Sequence, residues 1–287
     1  MTIAAQPLRH NDRMNAPLTV RRLQVDLHTP WPRHWAGGDA FRSAWFNALS
    51  FSFPAGEQLF IDAVKMGQAK LDTAQQERFA SEVQGFIGQE ATHRRVHQLF
   101  NQQLADQGYV NHWEPRIRRR IATQLQHLDA RAWLGVTAAT EHLTAILSEV
   151  LLTRPGLLAG ADPRLRDLWL WHASEESEHR CTAFDLYRAL GGNERWRRRL
   201  FVMVSLHFVL DLTRQTVHNL WRDGHWWRPA TWASAARMLF GADGVVRHAW
   251  RPWKRYFASD FHPSQGDGTV ATSWLAAHGD LAPPVRG

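Results

Sequence analysis

Apolar residues recur every three to four positions from about residue 40 to residue 258, and polar residues fill the positions between them. This spacing is the period of an amphipathic α-helix, and no stretch shows the sustained alternation typical of a half-buried strand. Helix-breaking residues interrupt the pattern at Pro54 and at residues 66–67, 108–115, 155–163, 191–192 and 224–229. The pattern therefore predicts an all-α protein with four long helices and a smaller helical region after them.

The two ends of the chain lack this period. Residues 1–35 mix Pro, Arg and His and are predicted to be irregular, while residues 259–287 are predicted to form a loosely ordered tail. Between them, residues 36–192 are expected to form a four-helix bundle. Residues 193–258, which are rich in tryptophan, are expected to form a helical extension packed on that bundle.

A Glu-x-x-His pattern occurs twice, at Glu90/His93 and at Glu176/His179. The spacing places each pair on the face of its helix that also carries apolar residues, such as Val83 before the first pair. A carboxylate and an imidazole buried on an apolar face require a counter-charge. The faces offer no Lys or Arg for this purpose, so we interpret the counter-charge as a metal ion.

A single glutamate lies upstream of each pair, with Glu57 33 residues before Glu90 and Glu141 35 residues before Glu176. Antiparallel helices joined by short turns bring such positions to one level of a bundle. One Glu from each of two helices, with Glu-x-x-His from each of the other two, is the ligand set of a carboxylate-bridged two-metal site. The predicted metal ligands are Glu57, Glu90, His93, Glu141, Glu176 and His179.

Four further residues near this set have alternative roles. His97 and His172 share the two faces one turn away, so that each is either an extra ligand or a partner that orients a carboxylate. Glu175 competes with Glu176, although the symmetry with the Glu90/His93 pair favours Glu176. His142, next to Glu141, is expected to pack in the core or to orient a ligand.

These residues resemble those of the ferritin-like di-iron carboxylate proteins. The stretches FPAGEQLF, QEATHRRVH, TEHLTA and WHASEESEHRCTAFD also resemble a bacterial family of predicted metal-dependent hydrolases, over about residues 20–261. The resemblance implies a ferritin-like four-helix bundle, with additional C-terminal helices, and a metal site at the six residues named above.

Carboxylate-rich sites with one imidazole per metal suit iron or manganese better than zinc. We therefore expect two metal ions, with iron favoured and manganese or a mixed Fe/Mn pair as alternatives. Among the di-iron carboxylate proteins that this chain resembles, bundles with such ligands are more often oxygen-activating. The resemblance therefore implies, as the leading hypothesis, an oxidase or oxygenase acting on a hydrophobic small molecule. Its cavity is expected to be lined by Phe60, Phe86, Leu134 and Leu168. The alternatives are a hydrolase that uses a metal-bound hydroxide and a non-catalytic or iron-handling protein.

The net charge of +7 and the fifteen tryptophans bear on what the protein binds rather than on how it folds. In NLWRDGHWWRPATW and RHAWRPWKRYF, tryptophans alternate with basic residues, and we expect most of them to pack on the bundle. Peripheral contact with a membrane surface and a homodimer interface are the alternatives, while nucleic acid is disfavoured. The single cysteine excludes a disulfide framework, and the apolar run at 200–212 is shorter than the roughly 20 residues of a membrane span. The expected location is cytoplasmic, with membrane association as an alternative.

Overall fold

A computed structural model describes residues 18–285 and shows no β-strand within them. Two isolated backbone bridges, Arg21 with Pro284 and Ala36 with Ala161, are the only strand-like pairings there. The predicted all-α class is thus confirmed for the described residues. The helices are α1 Ala40–Gln68, α2 Thr73–Asp106, α3 Trp113–Arg120, α4 Ala130–Thr153, α5 Pro163–His179, α6 Thr182–Ala189, α7 Glu194–Arg222, α8 Pro229–Phe240, α9 Val245–Arg255 and α10 Thr269–Ala277.

The four helices that carry the predicted ligands, α1, α2, α4 and α5, begin in the same way. An aspartate precedes each helix, and its carboxylate accepts a hydrogen bond from a main-chain N–H of the first turn. This N-cap satisfies a donor that the helix itself leaves unpaired. Helix α1 packs along α2, and α4 packs along α5 and also contacts α1. The caps are Asp39, Asp72, Asp129 and Asp162.

Helix α1 runs through Pro54, where the sequence predicted a break. A proline inside a helix cannot donate to the carbonyl four residues earlier, which here belongs to Ser50. The side chain of Asn101 on α2 donates to that carbonyl instead, at 2.9 Å. The helix therefore continues because its neighbour supplies the missing hydrogen bond.

Residues 18–35 lie across α2 and α5 without forming a helix. Their path is close to α2, because a Cβ atom at Gly85 would lie only 2.8 Å from the carbonyl oxygen of Leu18. We call residues 18–25 of this segment the N-terminal strap. Residues 1–17 of the predicted irregular segment lie outside the described residues.

Residues 259–285 do not form the predicted loose tail but pack on the body of the protein. Helix α10 packs on α5, with Leu275 in an apolar cluster with the fully buried Trp171. The chain then returns to the strap, where the N–H of Val285 donates to the carbonyl of Val20. Burial of Trp171 and the backbone pairing hold this segment, although its sequence lacks a helical period before residue 269.

Candidate metal centre

The six predicted ligands come together from four helices between two apolar clusters. Phe86 of one cluster contacts the ring of His179, and Trp169 of the other contacts the ring of His97. Each of the six side chains is at most 2% exposed. They are Glu57 on α1, Glu90 and His93 on α2, Glu141 on α4, and Glu176 and His179 on α5.

The ring of His179 faces carboxylates from three helices. Its Nε2 atom lies 3.1 Å from an oxygen of Glu90 and 3.4 Å from oxygens of Glu141 and Glu176. Potential ligand atoms of Glu90, Glu141 and His179 all lie within 4.8 Å of one another. This geometry leaves room for one ion between the three groups.

A second group of three contains Glu57, Glu90 and His93, again with ligand atoms within 4.8 Å of one another. The Nδ1 atom of His93 lies 3.5 Å from Glu176. Glu90 therefore belongs to both groups of three, and Glu176 lies near the histidine of each. Shared carboxylates are what a bridged pair of ions requires.

The unpaired oxygens of this centre match a bound cation. Both carboxylate oxygens of Glu57 and both of Glu141 are buried without a hydrogen-bond partner among the described residues. Leaving a buried acceptor unpaired costs about 1–3 kcal/mol, and more if it is charged. Carboxylate oxygens that coordinate a metal need no such partner. The residues present therefore fit a metal site.

The pKa shifts of side chains in the centre also fit a bound cation. Burial, followed by repulsion from Glu90, raises the pKa of Glu57 well above its usual value. Burial and the charge of Glu176 do the same to the pKa of Glu141. For His179, burial acts to lower the pKa, but attraction by Glu141 and Glu176 raises it well above normal. Without a metal ion, these residues must retain protons in order to reduce their negative charge.

Gln89 fixes the orientation of His179. Its side-chain N–H groups donate to the carbonyl of Thr19 and to Glu178, which leaves its oxygen facing Nδ1 of His179 at 3.0 Å. Nδ1–H is therefore the donor to Gln89. In the metal-free chain the raised pKa of His179 places a second proton on Nε2, and loss of that proton on metal binding would leave the Nε2 lone pair facing the carboxylates. This is the arrangement by which neighbouring groups orient metal-bound histidines.

Glu175 orients His93 through Nε2, whereas Gln89 holds His179 through Nδ1. Its Nε2 lies 3.0 Å from Glu175, so that Nε2–H donates outward and Nδ1 faces Glu176 without a hydrogen bond. Arg21 of the strap pairs with Glu175 at 3.1 Å and with Glu178 at 2.7 Å. Glu175 thus contacts both an arginine and the outer side of the ring, which is the position of an orienting partner.

The sequence reasoning missed Gln89, Arg21 and the paired state of Glu178. Gln89 precedes a Glu-x-x-His pair, and a polar residue there carries no distinctive signal. Arg21 lies in a segment without periodicity, so nothing in the sequence places it beside α5. Only the tertiary path of the strap brings it there.

His97 and His172 form a chain that ends at the centre. His172 Nε2 lies 3.2 Å from Glu176, and its Nδ1 lies 2.8 Å from Nε2 of His97. The hydroxyl of Ser50 lies 2.9 Å from Nδ1 of His97. Burial, and then repulsion from His93, lowers the pKa of His172 to about 4. Both rings lie close enough to serve as ligands or as orienting partners, and their ligation stays a prediction.

His142 lies apart from the centre. Its Nε2 faces the carbonyl of Pro252 at 3.2 Å, and its ring packs against Phe201, Tyr256 and Phe261. Burial lowers its pKa to about 4, so the ring is neutral at pH 7. Of the two roles considered for His142, the structure favours packing.

A cavity of about 380 Å³ is lined by residues of α1 and α4, the helices that carry Glu57 and Glu141, although none of the six predicted ligands lines it. Phe60 lines it as expected, but Phe86, Leu134 and Leu168, each 0% exposed, do not. The wall is mainly apolar. Its lining includes Phe53, Gly56, Leu59, Trp113, Ile117, Val136, Thr140, Thr144, Leu200, Met203 and Phe208, with Arg120, His207 and Asp211 as charged or polar members.

Comparisons with known proteins relate this centre to one family. No curated protein and no solved structure matches the chain. A family model described as "Predicted metal-dependent hydrolase" matches residues 19–267, a range that includes all six side chains of the centre and both orienting partners, Gln89 and Glu175. The match covers most of the 287 residues. The chain therefore belongs to the family of predicted metal-dependent hydrolases.

Proposed function

We propose that the chain is a metal-dependent hydrolase that binds a pair of metal ions and cleaves an ester, amide or phosphoester bond in an apolar substrate. The observation that carries this proposal is the set of buried, unpartnered carboxylate oxygens that faces two histidines of fixed orientation. The ligands would be Glu57, Glu90, His93, Glu141, Glu176 and His179.

The charges at the centre support two divalent ions. Four carboxylates carry four negative charges, which two such ions neutralise once both imidazoles are neutral. When bound, a metal pair of this kind polarises a carbonyl or phosphoryl oxygen and provides a nucleophile at neutral pH by lowering the pKa of bound water. Iron or manganese suits this carboxylate-rich set.

The chain's own residues orient the ligands and exclude bulk water. Gln89 and Glu175 hold the two rings, so that one nitrogen of each is free to bind. At the cavity wall, the hydroxyls of Thr140 and Thr144 donate to main-chain carbonyls and leave the wall largely apolar. An acyl or alkyl group would bind in this cavity, whose walls come partly from the helices that carry Glu57 and Glu141.

The arrangement of helices around the centre also supports a finer structural proposal. Helices α1, α2, α4 and α5 each supply ligands, in the pattern of one Glu on two helices and Glu-x-x-His on the other two. We infer that these helices form a bundle of the ferritin-like type. Helices α6 to α10 then flank it and supply none of the six predicted ligands.

Metal analysis of the purified protein is the first test. We expect about two ions per chain after expression with added iron and manganese, and loss of both in the Glu90→Ala/Glu176→Ala variant. Glu149→Ala, at an exposed position of α4, is the matched control and should retain the metal. Less than about 0.2 ions per chain in the wild type would contradict the proposal.

Turnover then decides the reaction class. The metal-loaded wild type should hydrolyse model esters or amides with apolar acyl groups, and the Glu90→Ala/Glu176→Ala variant should not. Metal-loaded protein that leaves a panel of esters, amides and phosphoesters intact would contradict hydrolysis.

A second candidate function is oxygen-dependent oxidation of an apolar substrate. The ratio of four buried carboxylates to two buried histidines favours it, because such ligand sets suit iron. The reduced, iron-loaded protein would then consume dioxygen and show a change in its near-ultraviolet absorption. Oxygen consumption by the iron protein, without hydrolysis by any metal form, would favour this second function.

A further inference from the structure

The positive charge of the chain is concentrated in its C-terminal helices. Residues 194–258 contain twelve Lys and Arg against four Asp and Glu, whereas the rest of the chain contains 22 against 23. Seven of the fifteen tryptophans lie in the same range. This region therefore differs from the remainder of the molecule in both charge and aromatic content.

Helix α7 buries a polar face against the body of the protein. Asp211, Gln215 and Asn219 are each 0% exposed. Asp211 pairs with Arg116 and Arg120 of α3, and the side-chain amides of Gln215 and Asn219 bond main-chain groups before α3 and in α1. These contacts tie α7 to the body through hydrogen bonds.

The opposite face of α7 is apolar and exposed. Leu206 and Val209 are each 60% exposed, and Leu210, Val217 and Trp221 extend the same surface. A helix on the surface of a protein in water shows the reverse arrangement, with its apolar stripe facing the core. By length and composition α7 is also able to cross a membrane, which the apolar run in the sequence did not predict. Its bonded polar face instead holds it along the body, with the apolar face outward.

The apolar surface continues into a groove of about 690 Å³ between α7, α8 and α9. Trp232, Phe240 and Trp250 line it and are exposed, and Trp250 stacks on Trp253. Exposed basic residues lie on the same three helices. These are Arg214, Arg237, Arg247, Arg251 and Lys254, the last of which lies 5.2 Å from the Trp250 ring.

We propose that the face formed by α7, α8 and α9 docks on the surface of an anionic lipid bilayer. Leucine, valine and tryptophan would enter the boundary between headgroups and acyl chains, while the Arg and Lys of the same helices contact anionic headgroups. A second copy of the chain is a poorer occupant, because it would bring the same concentration of positive charge to the interface. A nucleic acid is also poorer, since phosphates gain nothing from the apolar centre of the face.

Docking would bring the cavity close to the lipid. Met203, His207 and Phe208 of α7 line the cavity, and Phe208 also lines the groove. An apolar substrate dissolved in the bilayer would then reach the cavity along α7 without crossing water. This route rests on the proposed function, whereas docking itself does not.

Co-sedimentation with vesicles tests the docking on the full-length, metal-loaded protein. We expect it to sediment with vesicles of phosphatidylcholine and phosphatidylglycerol, to remain mostly in solution with phosphatidylcholine alone, and to dissociate as salt screens the charges. Leu206→Gln/Val209→Gln/Leu210→Gln and Arg247→Glu/Arg251→Glu should each weaken binding at least about tenfold. Val110→Gln/Val285→Gln, at exposed apolar positions elsewhere, is the matched control and should bind normally.

A second measurement needs no variant, because brominated lipids quench tryptophans that enter the bilayer. Quenching of the wild-type emission by brominated anionic vesicles supports the proposal. The proposal is overturned if the wild type neither sediments nor is quenched. It is also overturned if the wild type is a dimer that the triple apolar variant converts to a monomer, or if single-stranded DNA binds where vesicles do not. None of these measurements depends on hydrolysis.

Discussion

At the scale of single residues, the candidate centre depends on side chains outside the six predicted ligands. Gln89 is fully buried and uses both ends of its amide, so that it cannot rotate without losing a hydrogen bond to Thr19, Glu178 or His179. It therefore sets which nitrogen of His179 faces the carboxylates. Any role of His179 as a metal ligand therefore depends on Gln89.

Replacing Gln89 by leucine removes this constraint but retains most of the volume. Because outer partners of metal ligands typically contribute a factor of about 10–100 in affinity, we expect Gln89→Leu to weaken metal binding by that factor. Competition with a chelator of known affinity measures it. Gln102→Leu, on the exposed side of the same helix, should leave the affinity unchanged. Equal affinities of the two variants would contradict the role assigned to Gln89.

At the scale of helices, Pro54 and Asn101 form a pair whose members compensate for each other. Asn101→Leu should leave the carbonyl of Ser50 unpaired and lower the free energy of unfolding by about 1–3 kcal/mol. In the double variant Pro54→Ala/Asn101→Leu, the new N–H at position 54 can donate to that carbonyl. We therefore expect part of the lost stability to return.

Urea unfolding of the wild type, the two single variants and the double variant measures this coupling. The single variant Pro54→Ala should change stability little while Asn101 is present. Strictly additive effects would show that the asparagine does not replace the missing donor.

Pro54 and Asn101 also show which features of the fold could be predicted from the sequence. Helical period located the ligand-bearing helices, because it is a property of the local sequence. It also placed Glu57, Glu90, Glu141 and Glu176 on buried faces, because a helix in water packs its apolar face against the core. The predicted helix break at Pro54 was wrong, because Asn101 of the next helix supplies the hydrogen bond that lets α1 continue. Helical period also gave no indication of the contacts of Arg21 or of the packing of the C-terminal segment. Their positions depend on contacts between distant parts of the chain.

At the scale of the whole molecule, Asp223 links the N-terminal residues to the end of α7. It pairs with Arg33 at 3.0 Å and with His34. Burial acts to raise the pKa of Asp223, but the hydrogen bonds and charges of His34 and Arg33 lower it below its usual value. A carboxyl whose pKa is lower in the folded protein stabilises it above the unfolded-state pKa, and this stabilisation is lost as the pH falls through the folded-state pKa.

Asp223→Asn should therefore lower the free energy of unfolding at pH 7, by about 1–3 kcal/mol. The difference from the wild type should shrink as the pH falls below about 4. Urea unfolding at several pH values tests this. Asp243→Asn, at an exposed carboxylate, serves as the control and should stay within about 0.5 kcal/mol of the wild type. A difference that grows on acidification would contradict the assignment.

Metal removal should also affect the whole molecule, because an ion that binds only the folded chain stabilises it. At a free metal concentration of about 100 times the dissociation constant, the gain is about 2.7 kcal/mol for each site. We expect a chelator to lower the unfolding temperature of the wild type. The Glu90→Ala/Glu176→Ala variant should show no response to the chelator. An identical response of both proteins would contradict a stabilising metal centre.

The N-terminal strap has a consequence for how the protein assembles. Arg21 meets Glu175 across 154 residues of sequence, and we expect this contact to form late in folding because closing so long a stretch of chain costs entropy before the contact rewards it. Until then, the side of α5 that carries Glu175 and Glu178 lacks its arginine, and Gln89 lacks the carbonyl of Thr19. On this expectation α2 and α5 fold before this side closes, and the binding groups are open to hydrated ions from solution during that interval. The strap would then order two events, with ion uptake first and enclosure second.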